Sequence, residues 1–275
     1  MNLTFLYLGA FYFLAVYLWR RAGGDLPWRV AALFYLLTLG FLFQPLTQRF
    51  VNVPADYTLR IYPWTPLGKP AATTNTEIND VILQMVPWAH QVRESWRNLH
   101  VPLWNEAAGG GYPLLGNGQS AALSPLRLLG LPLPLGYSLT FEAALKILGA
   151  LTFAFLYARR RYSLLASVFT AVTYGFSTFI IVWLYFQHSS VAAFLPALFL
   201  GLDLVLEKAT YRRFLLLVGA FVILLLNGHP ESAAHCVFAA SLYVLHWLVL
   251  QRSEEKRRKL ASVVAAGFGH YRCPH

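Results

Sequence analysis

Residues 138–157 read SLTFEAALKILGALTFAFLY, Arg159, Arg160 and Arg161 follow at once, and residues 163–184 resume with SLLASVFTAVTYGFSTFIIVWL. Two apolar runs of about twenty residues, parted by a knot of arginines, have the length a helix needs to cross the hydrocarbon core of a bilayer. Similar runs lie at 3–19, 29–46, 191–206, 214–227 and 235–250, and another begins at 260 and breaks off. The reading is all-α: a polytopic transmembrane helical bundle of about seven spans plus a partial eighth, with one large external loop region containing short helices. A closed β-barrel is excluded, because the runs are continuous rather than alternating.

Composition agrees with the runs. Hydrophobic residues make up 57% of the 275 and charged residues 12%, with a mean hydropathy of +0.50. A soluble domain carries about 25% charged residues, so this chain lacks the polar surface to cover a globule. Its natural partner is a lipid bilayer. The formal net charge is +10, but most of it sits in short segments between apolar runs, where charge encodes topology. No nucleic-acid partner is expected. Cys236 and Cys273 are far apart and give neither a disulfide framework nor a metal-ligand spacing.

The basic residues set the orientation. Arg20, Arg21 and Arg29, then Arg159 to Arg161, then Lys208, Arg212 and Arg213, then Arg252 and Lys256 to Lys259 occupy every second short connection. The alternate connections, 185–190 and 228–234, contain neither Lys nor Arg. Positive loops face the cytoplasm, which places the 47–137 segment outside. The first run lacks a basic leader and has its charges behind it, so it reads as a retained helix with an external N-terminus. The expected organisation is two N-terminal helices over 1–46, an external region with the candidate active site over 47–137, and a helical bundle over 138–268. Residues 269–275 read as a truncated or aberrant tail.

Within the external region, residues 77–98 suit a helix or helical pair, bent or broken at Pro87. Glu77, Asp80 and Gln84 are spaced to share a face, and Trp88 extends it. A carboxylate at a membrane surface can take a proton from an attacking hydroxyl or hold a divalent cation such as Mg or Mn. Asp80 is the leading candidate for either role and Glu77 the second, against the plainer alternative of solvated helix carboxylates. Arg93 and Arg97 can hold a phosphate or pair with Glu94 and lipid headgroups. Residues 101–126 carry Gly109, Gly110, Gly111, Gly116 and Gly118 among Trp104, Asn105, Tyr112, Asn117 and Gln119. Amides beside aromatic rings suit carbohydrate, although a compact structural loop is the equal alternative.

Two further polar clusters belong to the same side. YFQHSS carries His188, and NGHPESAAH carries His229, Glu231 and His235. The latter reads as a prolyl turn with hydrogen-bonding histidines rather than a metal site. Glu142 and Lys146, four residues apart in an apolar run, form either a packed ion pair or a functional intramembrane pair.

EINDVILQMVPW (77–88), PLWN (102–105), GYPLLGNGQSAALSPL (111–126), HSS (188–190) and GHPESA (228–233) together resemble the bacterial YfhO-type membrane proteins, which are similar to the GT-C class of membrane glycosyltransferases. The resemblance covers about residues 50–250. It implies an inner-membrane enzyme that takes a sugar from a polyprenyl-phosphate donor and passes it to a glycan or lipid acceptor of the cell envelope. It implies Asp80 as the base or cation ligand, with His188 and His229 at the external mouth of the cavity. The chain departs from the class in having one helix more before the external loop and in being much shorter. A transporter or flippase, and a scaffold that binds envelope polysaccharide, are the alternative functions.

Overall fold

A computed structural model describes residues 2–69 and 76–268, with the backbone alone for 251–268. The chain is mostly helical, 71%, with 2% strand. In order, α1 spans Thr4–Arg21, α2 Trp28–Phe41, α3 Phe43–Thr47, α4 Val86–Arg97, α5 Pro125–Leu129 and α6 Leu135–Arg159. Then come α7, Leu164–Gly175; α8, Thr178–Val182; α9, Gln187–Ala192; α10, Leu195–Glu207; α11, Tyr211–Leu226; and α12, Pro230–Phe268. Contacts divide the chain into two units, Met1–Ala233 and Ala234–His275. The second is α12 from Ala234 onward.

Four stretches among the described residues are long and apolar enough to cross a membrane: Leu135–Arg159, Leu164–Val182, Gln187–Glu207 and Pro230–Leu250. The expected seven spans plus a partial eighth are not supported by this count. Helices α2 and α11 have 14 and 16 residues, short of the ~20 a span requires. Helix α1 is diluted by three tyrosines and ends on Arg20 and Arg21. Two of the tyrosines are placed by their hydroxyls: Tyr7 donates to the Leu129 carbonyl at 3.0 Å, and Tyr12 meets Thr152 at 3.1 Å. The partial eighth has a plainer explanation. No glycine or proline occurs between residues 231 and 266, and EEKRRKLA is rich in helix formers. What composition reads as a loop and a fresh span is therefore one 39-residue helix. The expected tail, 269–275, lies outside the described residues.

Helix α6 is the centre of the first unit. It packs against α1, α2, α3, α5, α7 and α10, and 83% of its apolar window is buried. Ala143, Ala144, Ala150 and Ala154 keep its surface low, so neighbouring backbones approach closely. Phe34 of α2 meets Phe155 edge-on at 5.9 Å. Leu164–Val182 is just as apolar, yet only 22% of it is buried, with Leu165 and Phe169 at 80% and 72% exposure. An apolar helix left this open belongs against lipid, since water would penalise every such side chain.

The 47–137 region is mostly built of short elements. Three-ten turns span Ala55–Arg60, Thr65–Leu67 and Thr76–Ile78, and a π turn, Val81–Met85, leads into α4. Pro87 does not break this helix. It occupies the first turn of α4, and the widened π turn before it makes room for a ring that would clash with the carbonyl four residues back. β1 (Trp104–Asn105) pairs antiparallel with β2 (Tyr112–Pro113), and Gly109, Gly110 and Gly111 between them all have positive φ.

The connections sort by charge. Arg159 and Arg160 meet residues 22–25, Thr210, Arg212 and Arg213 around one cavity. The 184–190 and 227–230 segments, which contain neither Lys nor Arg, meet one another, and the first is tied to Lys146 halfway along α6. We expect Phe155→Ala to cost roughly 3 kcal/mol through the cavity it opens. Phe169→Ala should stay within about 0.5 kcal/mol. Reversible unfolding of the reconstituted protein distinguishes the two.

Candidate functional site

Helix α6 carries Glu142 and Lys146 on consecutive turns of one face, and α5 brings Arg127 to the same place. Arg127 donates through Nε and Nη2 to Glu142 Oε2, both at 3.2 Å, and through Nη1 to the Ser120 carbonyl. Lys146 Nζ lies 3.6 Å from Glu142 Oε1 and donates to the carbonyls of Leu184 and Phe186, both at 2.9 Å. All three side chains are at most 5% exposed. Glu142 and Lys146 are thus not a pair on their own. They form a triad with Arg127. The triad ties residues 118–127 to α6 and α6 to the α8–α9 connection. Charges in an apolar surrounding persist only when so matched.

Around the triad the polar motifs converge. Asn227, fully buried, accepts from Ser124 Oγ at 2.8 Å and donates to the Ser190 carbonyl at 2.7 Å. Gly228 has φ +88°, and a Cβ there would lie 2.7 Å from Ala121 and 2.9 Å from Gln187 Cγ. A Cβ on Gly118 would lie 2.9 Å from Pro230. These two glycines let GNGQSA and NGHPES touch. His229 caps α12: its Nδ1 accepts from the Ser232 N–H at 3.1 Å, with Pro230 in the first helical position. That bond leaves Nε2 as the proton-bearing nitrogen of the neutral ring.

Next to this framework lie polar atoms without partners among the described residues. Gln187 is 1% exposed, and neither its Oε1 nor its Nε2 has a hydrogen bond to them. Ser190 Oγ and His188 Nδ1 are in the same condition. The His188 ring lies between Trp183, at 4.5 Å, and His229, at 3.7 Å. Val81 and Met85 pack against Phe186, with Trp183 at the edge of the same cluster. The turn bearing Asp80 and Gln84 is therefore set against the rings flanking His188. Trp88 bridges that cluster to a second one of Val92, Leu114 and Ala122, and donates to the Tyr112 hydroxyl.

Other residues singled out on sequence have more local positions. Asp80 is half-buried and accepts from Gln84 Nε2 at 2.9 Å; Glu77 is exposed. Asn105 and Asn117 use their side-chain oxygens on the backbone N–H groups of Ala107 and Gln119. Trp104 lies over Gly111 within the β1–β2 hairpin, and Gln119 is half-buried in its three-ten turn. Arg97 is exposed at the end of α4. Arg93, one turn earlier, is only 4% exposed, and neither Nη1 nor Nη2 has an acceptor among the described residues. Burial pushes its guanidinium below the usual arginine range, Arg97 adds to the shift, and Glu94 opposes it. Among the described residues no three His, Cys, Asp or Glu side chains gather to hold a metal ion. At Asp80 the described geometry is a single carboxylate beside the Gln84 amide.

Gln187, Arg127, Ser124 and Asn227 escaped the sequence reading. Gln187 and Asn227 carried a usable signal, since each is an uncharged polar residue beside a histidine at the end of an apolar run. No family model, curated protein or solved structure matches the chain.

Glu142→Gln would leave two cations buried with no counter-charge. We expect a loss of about 3–5 kcal/mol. Glu207→Gln, at a 55% exposed carboxylate paired with Arg160 and Arg213, should cost less than about 1 kcal/mol. Denaturant unfolding in mild detergent, followed by tryptophan fluorescence, measures both.

Proposed function

We propose that the protein is a membrane glycosyltransferase of the GT-C kind, related to the YfhO-type proteins. It moves a sugar from a polyprenyl-phosphate donor to a glycan or lipid acceptor of the bacterial envelope. The site lies on the side of the inner membrane away from the basic connections, with α1, α2 and α11 also in the bilayer. The observation that carries this reading is the Gln187, His188 and Ser190 group: donors and acceptors, buried and unpartnered, beside aromatic rings. Sugar hydroxyls both donate and accept, and their C–H faces stack on rings, so the set matches a sugar better than it matches a lipid tail or a bare anion.

Asp80 serves as the base. It takes the proton of the acceptor hydroxyl as that oxygen forms a bond to the sugar's anomeric carbon. The bond from that carbon to the phosphate oxygen breaks, and polyprenyl phosphate leaves with the electron pair. Gln187 and His188 hold the sugar, and His229 supports His188 by stacking. Arg93 has no part in the breaking bond. It lies thirteen residues beyond Asp80, about 20 Å along a helix, so its guanidinium suits an anionic group remote from the reacting carbon.

In membranes supplied with labelled polyprenyl-phosphate sugar, Asp80→Asn should lower transfer by about 10²–10⁴-fold. Gln187→Leu should mainly raise the donor KM. Unchanged transfer in Asp80→Asn removes the base. No transfer by the parent protein above empty membranes removes the reading itself.

One observation favours the transporter alternative. The stretches Leu164–Val182 and Gln187–Glu207 are each interrupted, at 176–177 and 193–194, and broken helices often line transport sites. Movement of intact sugar-lipid across vesicles, without bond cleavage, would select that reading.

A further inference from the structure

The ends of α1, α6, α10 and α11 near the basic connections enclose a cavity of about 750 Å³. Its wall is apolar, made chiefly of Leu156, Leu200, Leu204, Leu215 and Leu216. Its mouth is basic: Arg159 and Arg160 close α6, Arg212 and Arg213 open α11, and Asp25 is the one lining carboxylate among the described residues. These arginines are not equivalent. Arg160 lies 2.5 Å from Glu207 and 3.5 Å from Asp203, and Arg213 lies 3.2 Å from Glu207. Arg159 and Arg212 have no carboxylate partner among the described residues. Arg159 gives Nη1 to the Tyr162 carbonyl at 2.9 Å, while its Nε is buried without an acceptor. The indole Nε1 of Trp19, another lining residue, is also buried and unpartnered.

A leucine-lined cleft with uncompensated guanidinium groups at its mouth matches a ligand that is anionic at one end and apolar beyond it. At the surface of a bilayer that ligand is a phospholipid. We propose that this cavity binds one anionic phospholipid. The phosphodiester sits between Arg159 and Arg212, and part of an acyl chain lies along Leu156, Leu200 and Leu204. A zwitterionic lipid brings the same phosphate, but its ammonium group cancels the charge that the arginines select. The inference rests on the chain lying in a bilayer and is independent of the transfer chemistry.

The protein is placed in phosphatidylcholine nanodiscs with and without phosphatidylglycerol, and retained lipid is counted by native mass spectrometry. One phosphatidylglycerol should be retained in preference to phosphatidylcholine. Arg159→Gln with Arg212→Gln should weaken retention about tenfold, as expected for losing charge-assisted contacts. Leu204→Trp, which fills the cavity without changing its charge, should do the same. Lys208→Gln, at the same end but outside the cavity, should leave retention unchanged. Equal retention of the two lipids overturns the proposal, as does an equal loss in Lys208→Gln, no effect of Leu204→Trp, or displacement by inorganic phosphate alone. Thermal unfolding in phosphatidylcholine alone separates lost lipid from lost fold. If Leu204→Trp fails to fold, the arginine pair decides. Lipid retention is read without any transfer assay, so failure of the glycosyltransferase reading leaves this result standing.

Discussion

Three charges buried together, Arg127, Glu142 and Lys146, set the terms for the rest of the first unit. An apolar helix that carries a carboxylate and an ammonium on one face must satisfy both inside the protein, because lipid offers no partner. Glu142 does so by drawing in Arg127 and with it the end of the 47–137 region. Lys146 does so through two backbone carbonyls at the α8–α9 connection, where the helical backbone is interrupted and carbonyls are free to accept. The break in the helices and the buried ammonium therefore explain one another. Without the break, Lys146 would keep Glu142 but lose its two carbonyl acceptors.

That arrangement also positions the 187–190 segment. Once Leu184 and Phe186 are fixed to α6, Gln187 packs beside Gly228 and His188 against His229. Arg127 and Asn227 are hydrogen-bonded and act as framework. Gln187, His188 and Ser190 keep atoms that the framework does not use. The distinction between satisfied and unsatisfied buried groups separates framework from candidate binding groups here. It moves attention from the glycine- and amide-rich hairpin, whose asparagines bond their own backbone, to a short segment between broken helices.

Much of this was legible in the residues, and some was not. Apolar run length located the long helices, and the alternation of arginine-rich and arginine-free connections anticipated which loops would meet. Span number was less legible, because run length does not distinguish a complete crossing from a 14-residue helix, and a basic stretch such as 252–259 does not end a helix without glycine or proline. The shared face of Glu77, Asp80 and Gln84 assumed regular α-helical winding. A three-ten turn and a π turn on either side of Asp80 change that register, while Asp80 keeps its bond to Gln84. Arg93 stood out by type, but its burial and its distance from Asp80 depend on which side of α4 meets the loop at Leu114 and Ala122.

By itself, the sequence determined that this is a helical chain suited to lipid, with its positive charge segregated into alternate connections and its polar motifs in the others. Those are properties of composition and spacing, and they act locally. Only the tertiary structure decided that Arg127 belongs with Glu142 and that two glycines seat one loop on another. It also decided that Gln187 is buried without partners among the described residues, while Asn105 and Asn117 bond their own backbone. Each of those outcomes depends on which atoms meet across distant parts of the chain. Burial and hydrogen-bond satisfaction are set by that encounter, not by the identity of the residue.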